Sequence, residues 1–402
     1  MNKGLHRICI FLMILTLLST LLAGCSGREI YVNTEQNAVS YVENEDYQGF
    51  LDHNSMSAFA KAENGYYFFN NMHLYFFDTE KNEAYLVCSK ANCGHDTDSC
   101  TALFSIFNFY PFQLAYYGNA LYVLGWEEEG NNLRHNYIYQ ISLDNYKRKK
   151  AAYLFDSVGL DLFSFMIHRG YVYYLKGEAG DLKETTSYLY RVKLGNTNEK
   201  EKSEAIYEFS GIGASISNFS ASGNNIIVLK AVYGDTEGNN YETSYDLIDI
   251  HSLESRNIVG NEAYSLFADG EYIYYEKGKN IVNRINLNTN EEDFFCNIDG
   301  PAYISADSNY IYFDNRQKMY IDESFNDRKI LVYDKSGKYI TEIVPKNPKD
   351  DCYFGGDDVM LFKEIISGET ETASDGENAV KDYYILDKAQ LTSPDKQFMD
   401  ME

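Results

Sequence analysis

Residues 263–298 read AYSLFADGEYIYYEKGKNIVNRINLNTNEEDFFCNI. Four short runs of aromatic and β-branched side chains alternate here with turn residues. AYSLFAD leads to a turn at Gly270, EYIYYE follows, then NIVNRINL after a Gly-Lys-Asn break, then DFFCNI after Asn-Thr-Asn. Runs of this length, separated by Gly, Asn and Asp, predict a four-stranded antiparallel meander, strands a to d.

The second phrase of this unit recurs along the chain. Copies are NGYYFF from Asn64, GNALYVL from Gly118, RGYVYYL from Arg169, SGNNIIVL from Ser222, DGEYIYYE from Asp269, SNYIYFD from Ser308 and GGDDVMLF from Gly355. The turn positions Gly65, Gly118, Gly170, Gly223, Gly270, Asn309 and Gly356 are spaced by about 48 residues on average, the size of a four-stranded propeller blade with some long loops. The same parse fits MHLYFFD with EAYLVC in the first unit and HNYIYQISL with AAYLF in the second. No sustained helical period appears; LDKAQL near the C-terminus could make one helical turn. The expected fold is therefore all-β, a seven-bladed β-propeller of four-stranded blades over residues 51–391, with a tail at 392–402. The seventh unit has no convincing fourth strand. Pairing of the two chain ends would remove the open edge. Arg28–Thr34 is the favoured closing strand, Tyr41–Leu51 the next, and Gln397–Met401 a weaker local choice.

The N-terminus has a separate meaning. Lys3 and Arg7 precede a fifteen-residue, almost wholly apolar run, Ile8–Leu22, and Leu22-Ala23-Gly24-Cys25 follows. A basic start, a short apolar core and small residues at its end are the layout of a secretory signal, and the run is too short to span a bilayer. Leu-Ala-Gly-Cys resembles the lipobox of bacterial lipoproteins. The resemblance implies removal of residues 1–24, diacylglyceryl transfer to the Cys25 thiol, a lipidated segment 25–50, and an extracytoplasmic domain held on the cell membrane by buried acyl chains.

The IYY and IYF phrases, with a following acid as in Tyr312-Phe313-Asp314, look like the repeats of YWTD and TolB-like propellers. With the lipobox, the Tyr-rich units resemble uncharacterised β-propeller lipoproteins of Gram-positive anaerobes. The likeness covers Gly65 to about Asp387, and the tryptophan of YWTD has no counterpart in any unit.

Composition narrows the function. There are 35 Lys+Arg against 60 Asp+Glu, a formal charge of −25, which argues against nucleic acid as a partner. Seven cysteines in 402 residues are too few for a disulfide-stapled scaffold. No G-x-S-x-G, H-E-x-x-H or Walker motif is present, and Gly211-Ile-Gly213 lacks the third glycine and the βαβ frame of a dinucleotide site. The strand b–c connections Glu127–Asn136, Gly177–Ser187, Gly234–Ser244 and Ser367–Lys381 are long and acidic. They contribute Glu127, Glu128, Glu129, Asp181, Asp235, Glu237, Glu369 and Asp375 to one rim. Long loops on a rigid frame are where binding residues gather, although solvated hairpin tips have the same composition.

The one compact chemical constellation is Cys88-Ser-Lys-Ala-Asn-Cys93-Gly-His95-Asp-Thr-Asp-Ser-Cys100, placed after strand d of the first unit. Three thiolates and an imidazole suit structural zinc. In an oxidising compartment a disulfide competes, leaving one cysteine over for Cys296 or Cys352. Small buried thiols are the third reading, and a Cys93/His95 nucleophile pair has no readable oxyanion context. Of the other histidines, His73, His168 and His251 fall in strand patterns and read as sheet residues, while His53 and His135 are scattered. Alternating Tyr and Phe read as sheet-packing groups before sugar-stacking ones.

Two functions fit. One is a monomeric, non-enzymatic surface module that binds a protein, peptide or envelope glycan through the acidic rim. The other is a hydrolase or lyase with acids in the central channel. A metal-responsive sensor at Cys88–Cys100 is a minor third.

Overall fold

Short aromatic runs punctuated by Gly and Asn leave the backbone few ways to satisfy its polar groups other than hairpins. The computed structural model describes residues 59–401 except 159–163, 178–182, 261–262, 279, 323, 354–357 and 365–382. Within these residues the chain forms six antiparallel sheets.

The first sheet holds β1 (Phe59–Ala62), β2 (Gly65–Asn70), β3 (His73–Asp78) and β4 (Glu83–Leu86). The second holds β5 (Ala115–Tyr117), β6 (Ala120–Glu129), β7 (Leu133–Ser142) and β8 (Arg148–Val158). A seven-stranded sheet follows: β9 (Phe165–His168), β10 (Tyr171–Gly177), β11 (Glu184–Lys193), β12 (Glu204–Ser222), β13 (Asn225–Tyr233), β14 (Glu242–Asp249) and β15 (Ser255–Val259). Then come β16 (Ala263–Asp269), β17 (Tyr272–Lys277), β18 (Ile281–Asn286) and β19 (Glu292–Asn297). The fifth sheet is β20 (Tyr303–Ala306), β21 (Tyr310–Asp314), β22 (Ile330–Asp334) and β23 (Tyr339–Ile343). The last is β24 (Asp351–Tyr353), β25 (Val359–Lys363), β26 (Tyr383–Asp387) and β27 (Phe398–Asp400). Strands join in chain order throughout. Gly118 and Asn119, at φ 54° and 59°, make the tight left-handed turn that joins β5 to β6.

Burial follows strand position. Gly65–Phe69 of β2 is buried at every residue, whereas β4, at the edge of the same sheet, is exposed at every second one. Inner strands are covered on both faces, so their sequences read as continuous apolar runs. The first strands of neighbouring sheets approach one another, β1 with β5, β5 with β9 and β16 with β20, and β12, the middle strand of the seven-stranded sheet, approaches β16. Among the described residues, seven apolar clusters fill the spaces between successive faces. Phe69 and Leu74 meet Leu121 and Val123 across the first two sheets. Tyr122 and Ile138 meet Val172 and Tyr174 across the next gap. Tyr173 and Leu189 pack on Ile226 and Val228, so the two halves of the seven-stranded sheet lie face to face. Further clusters continue in chain order to the last sheet. There Leu361 and Ile385 pack on Tyr66 and Phe68 of the first. Packing is thus circular, and the architecture is of the β-propeller type.

The fold of β12 explains the undivided sheet. Its first half, Glu204–Ile212, pairs with β11, and its second half, to Ser222, pairs with β13. The register slips between Ile212 and Ser215, where Gly213 sits at φ 57°. A β-bulge with a left-handed glycine bends a strand without ending it. The Gly-Ile-Gly run therefore serves as a corner.

The expectations for the C-terminal end are met in part. The fourth place in the last sheet belongs to β27, which lies within Gln397–Met401, the weaker local choice, and pairs with β26 through Ile385 opposite Met399. Part of the supposed tail is therefore sheet, because Phe398 stacks edge-on against Phe362 and Tyr384. Arg28–Thr34 and Tyr41–Leu51 lie outside the described residues. The Asn315–Arg328 connection between β21 and β22 contains a short helix, α1 (Gln317–Ile321). The turn in LDKAQL is present as a 3-10 turn over Lys388–Gln390, capped by the Asp387 carboxylate accepting from Ala389 N at 2.8 Å.

Candidate metal centre and loop-bearing face

Connections between second and third strands, and between one sheet and the next, leave from the same end of the antiparallel sheets. The long 87–114 connection leaves β4 at that end. Its return leg lies along β3: Leu74 N donates to Ala102 O at 2.9 Å, and Phe104 N donates to Met72 O at 2.8 Å. At the entry end Val87 N donates to Leu74 O at 3.1 Å, so the polar stretch 88–101 is anchored at both ends.

Within it, the Sγ atoms of Cys88, Cys93 and Cys100 and one ring nitrogen of His95 lie within 4.8 Å of one another. His95 Nδ1 is 3.3 Å from Cys100 Sγ, and Cys100 Sγ is 3.7 Å from Cys88 Sγ. A disulfide needs about 2.05 Å, and all five described cysteines are unbonded. Cys100 is buried, while Cys88, Cys93 and His95 are partly exposed. Asn92 and His95 both have left-handed backbones, at φ 56° and 58°, which curl the loop inward.

Neighbouring groups hold the loop in place. His73 Nε2 lies 2.8 Å from His95 O. Ser89 N donates to Thr101 Oγ1 at 2.9 Å, and the Thr101 hydroxyl is 3.7 Å from Cys88 Sγ. From the second sheet, Arg148 Nη2 donates to the carbonyls of Cys100, Thr101 and Leu103 at 3.1, 2.9 and 2.5 Å. Its guanidinium lies 3.8 Å from the Phe104 ring centroid. Burial brings Arg148 down to about 10. Burial works to raise Cys88, but hydrogen bonding from the Lys90 backbone, Thr101 and Cys100 outweighs it and brings the thiol down to about 6. Burial pushes Cys100 up to about 11.

Cys296 and Cys352 are far from this loop in the fold. They sit in β19 and β24, inside two inter-sheet clusters, and burial raises both thiols. The expectation that either could pair with a left-over loop cysteine is corrected by that placement.

The acidic rim is less open than its composition suggests. Residues Glu127–Glu129 are strand, not loop, since β6 and β7 pair out to Glu129 opposite Leu133. Lys150 Nζ is 2.8 Å from Glu127, Arg134 is 3.8 Å from Glu128, and His135 lies between Glu129 at 3.2 Å and Asp156 at 2.6 Å. Asp235 folds its own loop, accepting from Asn239 N at 3.0 Å and Glu237 N at 2.9 Å. Those backbone donors, Asn239 first, hold its carboxyl below the usual range. Glu237 is exposed. Asp181, Glu369 and Asp375 lie outside the described residues. The described rim acids are dispersed and do not converge on one point.

Sequence reasoning missed the buried ionic groups. Arg328 pairs with Asp314 at 2.6 Å, with both side chains nearly inaccessible. Lys388 pairs with Asp307 at 2.8 Å, and Tyr312 OH also donates to that carboxylate. Lys230 and Tyr207 share Asp246 at 2.7 and 2.6 Å. The acid after IYF marked Asp314; nothing local marked its partner fourteen residues on. His73 opens β3, and His168 is fully buried in β9 with Nε2 2.8 Å from Gly223 O. His251 is exposed just beyond β14, outside the strand expected for it.

No family model and no curated protein matches the chain. Solved structures do. An oligogalacturonate lyase in complex with manganese aligns with TM-score 0.44 and 11% identity, covering 84% of this chain and 93% of that one. The AfRom2 CNH domain aligns with TM-score 0.41 and 9% identity, covering 80% and 94%. PorZ, an essential surface component of the type-IX secretion system of Porphyromonas gingivalis, gives 0.44 and 10%, covering 91% of this chain and 39% of PorZ. No site or activity is carried across from them.

Proposed function

We propose that this chain is a lipid-anchored, extracytoplasmic β-propeller of seven blades that binds a protein, peptide or envelope glycan on its loop-bearing face. The blade number follows if β12 is divided at Gly213, so that its halves serve as the outer strand of one blade and the inner strand of the next. The seven inter-sheet clusters support that count. Anchoring rests on Cys25 in its lipobox-like setting. No helix among the described residues is long and apolar enough to cross a membrane.

The observation that carries the binding reading is the one-sidedness of the loops. The opposite face has tight turns such as Ala62–Gly65, Tyr117–Ala120 and Ser222–Asn225. The loop-bearing face has the 87–114 connection, the Asp235 loop and the α1 excursion. A rigid ring that elaborates one face places variable groups where a partner can reach them. The channel-enzyme reading has weaker support. Among the described innermost strands the acids are Asp269 and Asp351, and both are ion-paired, with Lys335 and with Arg316.

The test compares the full chain with two variants. One replaces Asp235–Asn240 by a two-residue turn and changes Glu127, Glu128 and Glu129 to Gln. The other alters the Asn288–Thr289 turn on the opposite face. Binding to purified envelope polysaccharide and to immobilised envelope proteins should fall only in the first. Equal binding by all three chains would discard this reading.

A further inference from the structure

We propose that Cys88, Cys93, His95 and Cys100 bind one zinc ion in a closed tetrahedral site, and that the ion locks the 87–114 loop against the second sheet. This holds whether or not the loop-bearing face binds a partner.

Geometry comes first. Zinc takes thiolate sulfur at about 2.3 Å and imidazole nitrogen at about 2.0 Å, which sets tetrahedral donor–donor edges of about 3.5–3.8 Å. The 3.7 Å Cys88–Cys100 contact and the 3.3 Å His95–Cys100 contact are close to those edges. All four donors fall within one ion's reach.

Donor chemistry selects the metal class. Three thiolates and an imidazole suit zinc, whereas calcium and magnesium take oxygen ligands. With four protein ligands no position stays open for substrate or water, so the site orders structure and does no chemistry. Binding displaces the thiol protons and converts metal affinity into local folding free energy.

Outer contacts fix the ligands, as metal sites require. His73 holds the backbone of His95, and Thr101 reaches Cys88. Arg148 grips the Cys100 carbonyl from the second sheet, so order at the ion reaches the seam between sheets.

The experiment is metal analysis of the full chain, purified without a metal-binding tag and with reductant present. About one zinc per chain is expected, and cobalt exchange should give the intense visible bands of a tetrahedral thiolate site. Cys93→Ser, at a partly exposed ligand, should lower bound zinc at least about tenfold with its circular dichroism unchanged. His95→Cys alone, which keeps four donors, should retain it. Cys296→Ser, in a different cluster, should leave zinc in place. Zinc-free protein, a disulfide between any two of the three loop cysteines in the reduced preparation, or zinc retained by a Cys93→Ser/His95→Ala chain would overturn the proposal.

Discussion

The guanidinium of Arg328 meets the carboxylate of Asp314 side-on, with Nη2 2.6 Å from Oδ2 and Nε 3.0 Å from Oδ1. Both groups are almost fully out of water, with side chains 1% and 5% exposed. Arg328 also donates to the carbonyls of Pro348 and Asp350. The pair therefore fastens the α1 excursion to the connection that enters the last sheet. Its bidentate form is the strong one, and a buried charge left alone is costly.

Removing one partner should consequently hurt more than removing both. Arg328→Ala should lower unfolding free energy by about 3–5 kcal/mol. The double change Arg328→Met with Asp314→Leu should cost much less. Urea midpoints for wild type, the single and the double variant decide it; equal losses would refute the account.

A second buried pair sets an acid limit. Burial alone would raise Asp307, but the Lys388 ammonium, the hydrogen bond from Lys388 and that from Tyr312 hold its carboxyl below the usual range. A carboxylate whose folded value is depressed stabilises above its unfolded value of about 3.9 and loses that contribution as pH falls through the folded value. Stability of the wild type should drop on acidification below about pH 4. In Asp307→Asn the same drop should be shallower by roughly one bound proton. Denaturation midpoints between neutral and strongly acidic pH measure it, and parallel curves for the two chains would count against the pair.

The corner in β12 makes a sharper, local forecast. Gly213 holds φ 57° where the strand passes from one partner to the next. An alanine there would have to adopt a left-handed backbone, at about 1–2 kcal/mol. Gly260 has open space around it, so Gly260→Ala is the control. Gly213→Ala should lower the thermal midpoint by a few degrees and Gly260→Ala should not. Equal midpoints would show that the bend tolerates a side chain.

Much of the ring was legible because its determinants are local. The 263–298 stretch becomes β16 to β19, with ends within a few residues of those expected. Gly118, Gly170, Gly223 and Gly270 all have positive φ at the turns they mark. In some copies of the phrase the tyrosine hydroxyl has a buried or half-buried acceptor that phenylalanine could not use, as Tyr66 has in Asp358 at 2.8 Å and Tyr312 in Asp307. Failures were of a different kind. Glu127–Glu129 continue a hairpin because the facing His135 and Arg134 supply charge partners across the ladder, and polar composition alone reads as loop. The Cys88–Cys100 spacing showed that four donors could meet; only the fold shows Arg148 arriving from the next sheet. Long-range pairings such as Lys388 with Asp307 have no sequence period to reveal them.

Closure of the ring is the long-range feature most open to test. Phe398 packs on Phe362 and Tyr384 with ring centroids 5.4 and 5.1 Å away. Met401 is 3% exposed and joins Phe59 and Phe68 in the cluster between the last sheet and the first. Asn82 of the first sheet's outer turn donates to Asp400 O at 3.3 Å, and Lys346 of the fifth sheet's exit pairs with the Asp400 carboxylate. One three-residue strand thus touches three sheets. Truncating the chain after Ser393 removes those contacts and bares the β26 edge, a template for unwanted pairing. Met401→Ala alone should cost about 2–5 kcal/mol, as large-to-small changes in a packed core do. The truncated chain should unfold at lower urea than that variant and elute in part as aggregate on size exclusion. A truncated chain with wild-type midpoint and a single monomeric peak would mean that the seam is closed by other residues.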